Sequence, residues 1–154
     1  MSDFSIERIT SVDDDVVEAA KRLSSQLNSS NQVTVSREYL ETITENPDNY
    51  WLMARRESDA RFIGMASLFI MRLPTNVRSF LENIVVDEDS RGQGVGIALS
   101  MRAFEIADSQ NVNTLRAQAG TQNGVSRSML QKAGFKIEDY LDYFELDIHA
   151  GPRF

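Results

Sequence analysis

Residues 81 to 100 read Leu-Glu-Asn-Ile-Val-Val-Asp-Glu-Asp-Ser-Arg-Gly-Gln-Gly-Val-Gly-Ile-Ala-Leu-Ser, an apolar strand that enters a glycine-rich turn and leaves it as a helix. A chain with such a passage must build a sheet with a helix laid against it, because each element has an apolar side that needs a partner. Gly92, Gly94 and Gly96 lack Cβ atoms, so backbone N–H groups in the turn can converge at the positive end of the helix dipole. The turn is therefore a candidate anion site, to which Arg91 adds a formal positive charge. The spacing argues against two familiar phosphate binders. The dinucleotide fingerprint needs a third glycine where Ile97 stands, and the P-loop needs Gly-Lys-Ser/Thr where Ile97-Ala98-Leu99 stands.

The remaining chain supplies the partners. Phe4 to Ile9 alternates apolar and polar residues as a first strand does. Ser11 offers a helix N-cap with Asp14 three residues on, Asp13 to Asp15 make an acidic first turn, and Val12, Val16, Ala20, Leu23 and Leu27 recur at helical spacing. Ser36 caps a second helix carrying Tyr39, Leu40 and Ile43, which Asn46-Pro47 stops. Tyr50 to Arg56, Phe62 to Arg72 and Val77 to Val86 read as three consecutive antiparallel strands, with Phe69, Met71 and Leu73 as strand packing. After the glycine turn, Val95, Leu99, Ala103 and Ile106 mark a third helix and Thr114 to Gln118 a strand. Val125, Met129 and Ala133 mark a fourth helix closed by Gly134. Short strands at Phe135 to Ile137 and Tyr143 to Ile148 complete the sheet. The order predicts an α/β (α+β) domain, with a mixed, mostly antiparallel sheet flanked by four helices.

Composition narrows the chemistry. With 154 residues, three scattered prolines and no internal repeat, the chain reads as a single domain over residues 1–149 with a tail at 150–154. Cysteine is absent, which excludes disulfides, thiolate zinc sites and a cysteine nucleophile and suits a cytoplasmic location. The lone histidine, His149, excludes multi-histidine metal centres, and no metal is expected. A net charge of −7 opposes broad capture by nucleic acid or an anionic membrane. No apolar run approaches the ~20 residues of a spanning helix, and the first ten residues lack the pattern of a leader peptide.

Arg91-Gly92-Gln93-Gly94-Val95-Gly96 resembles the Arg/Gln-x-x-Gly-x-Gly/Ala signature of the GNAT N-acetyltransferase superfamily, at the place where that family carries it, after the fourth strand. Leu81 to Asp87 resembles the family's fourth strand. Asn123-x-x-Ser126-x-x-Met129-Leu130-x-x-x-Gly134-Phe135 resembles its Asn-x-x-Ala-x-x-Leu-Tyr-x-x-x-Gly-Phe helix. The element order agrees over nearly the whole chain, although specific motifs are confined to residues 81–135.

The resemblance implies acetyl-coenzyme A as cosubstrate. Its pyrophosphate would lie on the backbone from Arg91 through Gly92, Gln93, Gly94 and Val95 to Gly96, and its pantetheine arm would pair like an added strand with Ile84, Val85 and Val86. Asn123 would contact that arm and Arg127 would reach phosphate. Glu82 is the candidate base, since an alkylammonium must lose a proton before its nitrogen attacks a thioester. Strand period 2 predicts that it shares a face with Ile84 and Val86. Many family members protonate the departing thiolate with a tyrosine where this chain has Leu130. Tyr143 is the preferred replacement, ahead of Tyr140 and Ser128. The implied reaction is direct attack by an amine in a ternary complex, with an N–H near Ile84 or Val86 polarising the carbonyl. The acceptor is a small-molecule or peptide amine, the acidic composition favours cationic ones, and a homodimer is admitted. The alternative is a non-catalytic module that binds or senses acyl-coenzyme A.

Overall fold

The computed structural model describes residues 3–27, 33–120 and 122–138. Among these, the strands β1 (Phe4–Arg8), β2 (Asn49–Arg56), β3 (Phe62–Arg72), β4 (Val77–Val86) and β5 (Leu115–Ala117) form one sheet in the order β1-β2-β3-β4-β5. The first four pair antiparallel and β5 joins β4 in parallel. A parallel neighbour requires a crossover, and α3 (Val95–Ser109) provides it. The helices α1 (Asp14–Ser24) and α2 (Arg37–Glu45) precede the long strands, and α4 (Gly124–Lys132) follows β5. The expected α/β architecture with a mostly antiparallel sheet and four helices is the one observed. No helix among the described residues is long and apolar enough to cross a membrane.

Both faces of the sheet are covered along the first part of β3, which is why that strand is nearly continuous in apolar residues. On one face Val16, Leu23 and Leu40 of α1 and α2 meet Trp51, Met53, Met65 and Val85. On the other, Val95, Leu99 and Ala103 of α3 meet Leu52, Ala66, Leu68 and Leu81. Each fully buried Leu contributes about 1.5–3 kcal/mol relative to exposure. The α3 contact is close because β3 has glycine at the crossing. A Cβ on Gly64 would stand 3.0 Å from Val95 Cγ1 and 3.1 Å from the Val85 carbonyl oxygen.

Several local expectations are corrected. The N-cap of α1 is Asp13, not Ser11: its carboxylate accepts from the Val16 N–H at 2.9 Å and brings its charge to the helix dipole. Val12 consequently lies outside the helix and is buried ahead of it. In α4, Val125 is 79% exposed and Leu130 is the buried residue, so the inner face runs through Ser126, Met129, Leu130 and Ala133. Residues 135–137, expected as a strand, carry no strand pairing among the described residues, and the expected strand Tyr143 to Ile148 lies outside them.

The main departure from regularity is in β4. Met65 pairs with Val85 but Ser67 pairs with Glu82, so β4 holds one residue more than β3 across this step. That is a β-bulge. Asn83, at φ 53°, takes the left-handed conformation that Asn tolerates better than most residues. The bulge exchanges the faces of the strand. Leu81 packs on the α3 side, whereas Val85 packs on the α1/α2 side and Ile84 and Val86 on the α3 side. Asn83→Gly is expected to leave stability nearly unchanged, whereas Asn83→Val, forcing a β-branched residue into that conformation, is expected to cost about 1–2 kcal/mol. Equilibrium denaturation of both variants checks this.

Candidate active site

The parallel pairing of β4 with β5 covers only Ser79–Leu81 against Leu115–Ala117. Beyond Leu81 the edge of β4 is uncovered by β5, and a cleft of about 190 Å³ opens there. Its walls are Leu81, Glu82, Asn83 and Ile84 of β4, residues 118–120 after β5, and Asn123, Ser126, Met129 and Leu130 of α4, with Leu27 at the α1 end. The Asp87 N–H donates to the Ile63 carbonyl at 2.8 Å, so Val86, paired with Gly64, occupies a non-hydrogen-bonded position. Its own N–H and C=O therefore point away from β3, toward the open edge.

The glycine turn leads directly into α3. Gly92 and Gly94 have φ of 77° and 84°, and Gly94 is the N-cap of α3 in a left-handed conformation. A Cβ at either position would meet open space, so it is the backbone angle that calls for glycine there. The first bond of α3 runs from the Ala98 N–H to the Gly94 carbonyl, leaving the N–H groups of Val95, Gly96 and Ile97 ahead of it at the positive end of the helix. Gly96 has a further reason to be glycine. Met129 Cγ of α4 lies 3.3 Å from the position of a Cβ there, so this residue sets how closely α3 and α4 approach.

Arg91 is placed differently from what its motif position suggests. Its Nε donates to the Val86 carbonyl at 3.1 Å and its Nη2 to Gln26 Oε1 at 3.3 Å, which ties the turn to the end of β4 and to the segment just after α1. Gln93 Nε2 donates to the Asp89 carbonyl. The anchor of this arrangement is Asp87, which sequence reasoning placed in the strand without a role. It is buried, and its carboxylate accepts from Arg22, from Arg61 at 3.2 Å and from Gln26 Nε2 at 2.7 Å. The signal available in the sequence was an Asp that ends an apolar strand immediately before the turn.

Asn123 is the N-cap of α4, its Oδ1 accepting from the Ser126 N–H at 3.0 Å, and it lines the cleft. Arg127 lies one turn into α4, half-buried, and its guanidinium has no hydrogen bond or ion pair among the described residues. Leu130 forms part of the cleft wall. Tyr143 and Tyr140 lie outside the described residues.

Glu82 borders the cleft but does not share a face with Ile84 and Val86 as expected. The bulge at Asn83 turns it to the α1/α2 side, opposite Ser67. Partial burial pushes its carboxyl above the ordinary value of 4.5. The cleft thus joins a strand edge that β5 leaves unpaired and the Glu82 carboxyl, and its wall residue Met129 packs against Gly96 at the N-terminal end of α3.

The Acetyltransferase (GNAT) family profile matches residues 18–135. That is well over half of the chain, and the protein belongs to the GNAT acetyltransferase family. Among solved structures, the aminoglycoside acetyltransferase meta-AAC0020 from an uncultured soil metagenomic sample superposes with a TM-score of 0.80 at 15% identity, over 94% of this chain and 96% of that one. The aminoglycoside antibiotic 6'-N-acetyltransferase AAC(6')-IG of Acinetobacter haemolyticus gives 0.73 at 21% identity, over 93% and 98%. Glucosamine-6-phosphate N-acetyltransferase of Arabidopsis thaliana gives 0.71 at 17%, over 94% and 99%. At these identities the likeness establishes the fold. No curated protein matches the sequence significantly.

Because Glu82 binds its proton more tightly folded than unfolded, the stability associated with its neutral form is lost as pH rises through its folded pKa. Glu82→Gln removes a charge that burial disfavours. It is expected to raise Tm at pH 7 and to alter it little well below pH 4.5, where the carboxyl is neutral in both states. Thermal unfolding across that range measures the difference.

Proposed function

We propose that the protein is an acetyl-coenzyme A-dependent N-acetyltransferase that acts on a primary amine in a ternary complex. The observation that carries this reading is that the cleft at the β4 edge left unpaired by β5 has Met129 in its wall, and Met129 packs against Gly96 in the first turn of α3. Acetyl-coenzyme A supplies an acetyl group activated as a thioester. The N–H groups from Gly92 to Ile97 hold its phosphates through the helix dipole and oriented backbone donors. Arg127 adds a cation from α4, Asn123 an amide, and the backbone of Ile84, Val85 and Val86 takes the pantetheine arm. The Val86 N–H, directed to the open edge, is the donor for the carbonyl oxygen.

Glu82 takes the proton from the acceptor ammonium, leaving a lone pair on nitrogen for attack. Its raised pKa brings it nearer the operating range of a general base. Leu130 has no proton to give, and Tyr143 is the residue assigned to protonate the thiolate. A thiol pKa of about 8.5 means that this step needs little assistance. The structural neighbours that act on aminoglycosides and on glucosamine-6-phosphate support an amine acceptor. Absence of cysteine from the chain rules out an acetyl-cysteine enzyme.

Acetyl-coenzyme A at about 100 times its Kd is expected to stabilise the fold by roughly 2.7 kcal/mol. Gly94→Asp, which introduces both a side chain and a negative charge at the N-cap of α3, is expected to abolish the shift. A wild-type Tm unmoved by saturating acetyl-coenzyme A would sink the assignment. Glu82→Gln is expected to keep the shift while turnover falls about 10² to 10⁴-fold and the acidic limb of the pH profile disappears. Tyr143→Phe should depress turnover with donor affinity intact. A silent Tyr143→Phe removes that residue from the mechanism.

A further inference from the structure

The bulge that turns Glu82 away from Ile84 and Val86 also determines what lies beside it. Before the bulge the even residues of β4 face the α1/α2 side, so Arg78, Phe80 and Glu82 stand in a row there. Across the strands, Glu82 is opposite Ser67, Phe80 is opposite Phe69 and Arg78 is opposite Met71. On the other flank Phe80 is paired with Arg116 of β5. Leu115 and Ala117 pack on the α3 side, which puts Arg116 on the same face as Glu82.

This end of the face is open among the described residues. Met71 is 42% exposed, Phe69 and Phe80 are half-buried with ring centroids 5.8 Å apart, and Arg78 and Arg116 are exposed. Phe69 and Met71, which read as strand packing, thus form a floor. Neither arginine makes a hydrogen bond or ion pair among the described residues, although the chain as a whole is acidic. Glu82 is the one carboxylate on these rungs. From strand spacings, the Cα of Arg116 lies about 8 Å from that of Glu82 and the Cα of Arg78 about 13 Å from it.

We infer that the acceptor is an amine that also carries an anionic group, a carboxylate or a phosphate, several bonds away, with the amine at Glu82 and the anion at Arg116 and Arg78 over the Phe69/Phe80 floor. This rests on the assignment of Glu82 as the residue that meets the amine. Two cations around one carboxylate disfavour a polycationic acceptor, in contrast to what the overall acidity suggests. Arginine is suited to the task because its planar fork pairs bidentately with either anion.

The test is equilibrium binding to the intact protein, by calorimetry, of 4-aminobutyrate and 2-aminoethyl phosphate against 4-aminobutanol and 1,4-diaminobutane. The anionic amines are expected to bind at least about tenfold more tightly than the other two. Arg116→Gln should remove most of that preference, Arg116→Lys should keep part of it, and Arg78→Gln should reduce it. The ratio of the carboxylate to the phosphate probe distinguishes the two anions. Retention of the acetyl-coenzyme A thermal shift in each variant shows that the fold and the donor site are intact. Equal or tighter binding of 1,4-diaminobutane, or a preference unchanged in Arg116→Gln, overturns the inference while leaving the donor assignment standing. Loss of the donor shift in the wild type overturns the donor assignment without altering the binding comparison.

Discussion

The extra residue in β4 is the constraint on which the cleft depends. A regular β4 would carry the alternation of Ser79 and Leu81 unbroken to Val86, and Glu82 would be on the face it shares with Ile84. The left-handed Asn83 instead reverses the faces after Glu82. Just there β5 stops pairing, so among the described residues the strand presents an unpaired edge where its two faces have exchanged. A cleft at that point communicates with both sides of the sheet. Under the proposed function, a donor at the α3 end and an acceptor on the α1/α2 side would approach the same stretch of β4 from opposite directions, which is the geometry a ternary complex requires.

The elements were legible where local chemistry decides them. β3 and β4 begin and end at the residues that apolar content and the intervening Pro74-Thr75-Asn76 predict, and the Ser36 cap and the Asn46-Pro47 stop bound α2 as read. The glycine turn and its helix were equally plain, because glycine there answers a backbone requirement that a sequence displays directly. Ser11 misled because Asp13, equally able to cap, stood two residues on and was counted among the acidic first turn. Val125 misled because a nine-residue helix offers few repeats, and several phases of a 3.6-residue period fit so short a pattern.

The site was legible in outline and not in detail. A motif states which residues occupy a turn but not which bonds their side chains make, so Arg91 read as a cation for the ligand whereas its guanidinium is engaged by Val86 and Gln26. The face of Glu82 was beyond period counting, since a bulge is a relation between two strands. Asn83 was its one local trace, as a residue tolerant of positive φ within an apolar run. The arginine pair was hidden for a similar reason: Arg78 and Arg116 are far apart in sequence and neighbours only through the pairing of β5 with β4. Overall charge gave no hint of it.

The Asp87 anchor bears on how the chain acquires the shape of its glycine turn. The partners that fix it from α1 and the residues just after it are remote, with Arg22 and Gln26 separated from Asp87 by 65 and 61 residues. Local contacts alone do not hold Arg91 against both β4 and Gln26, so the placement of its side chain depends on the packing of α1 on the sheet. Closing a loop of that length costs conformational entropy that must be met by long-range packing. The glycine turn is in this sense fixed by tertiary structure, although all of its backbone N–H groups lie within a few consecutive residues.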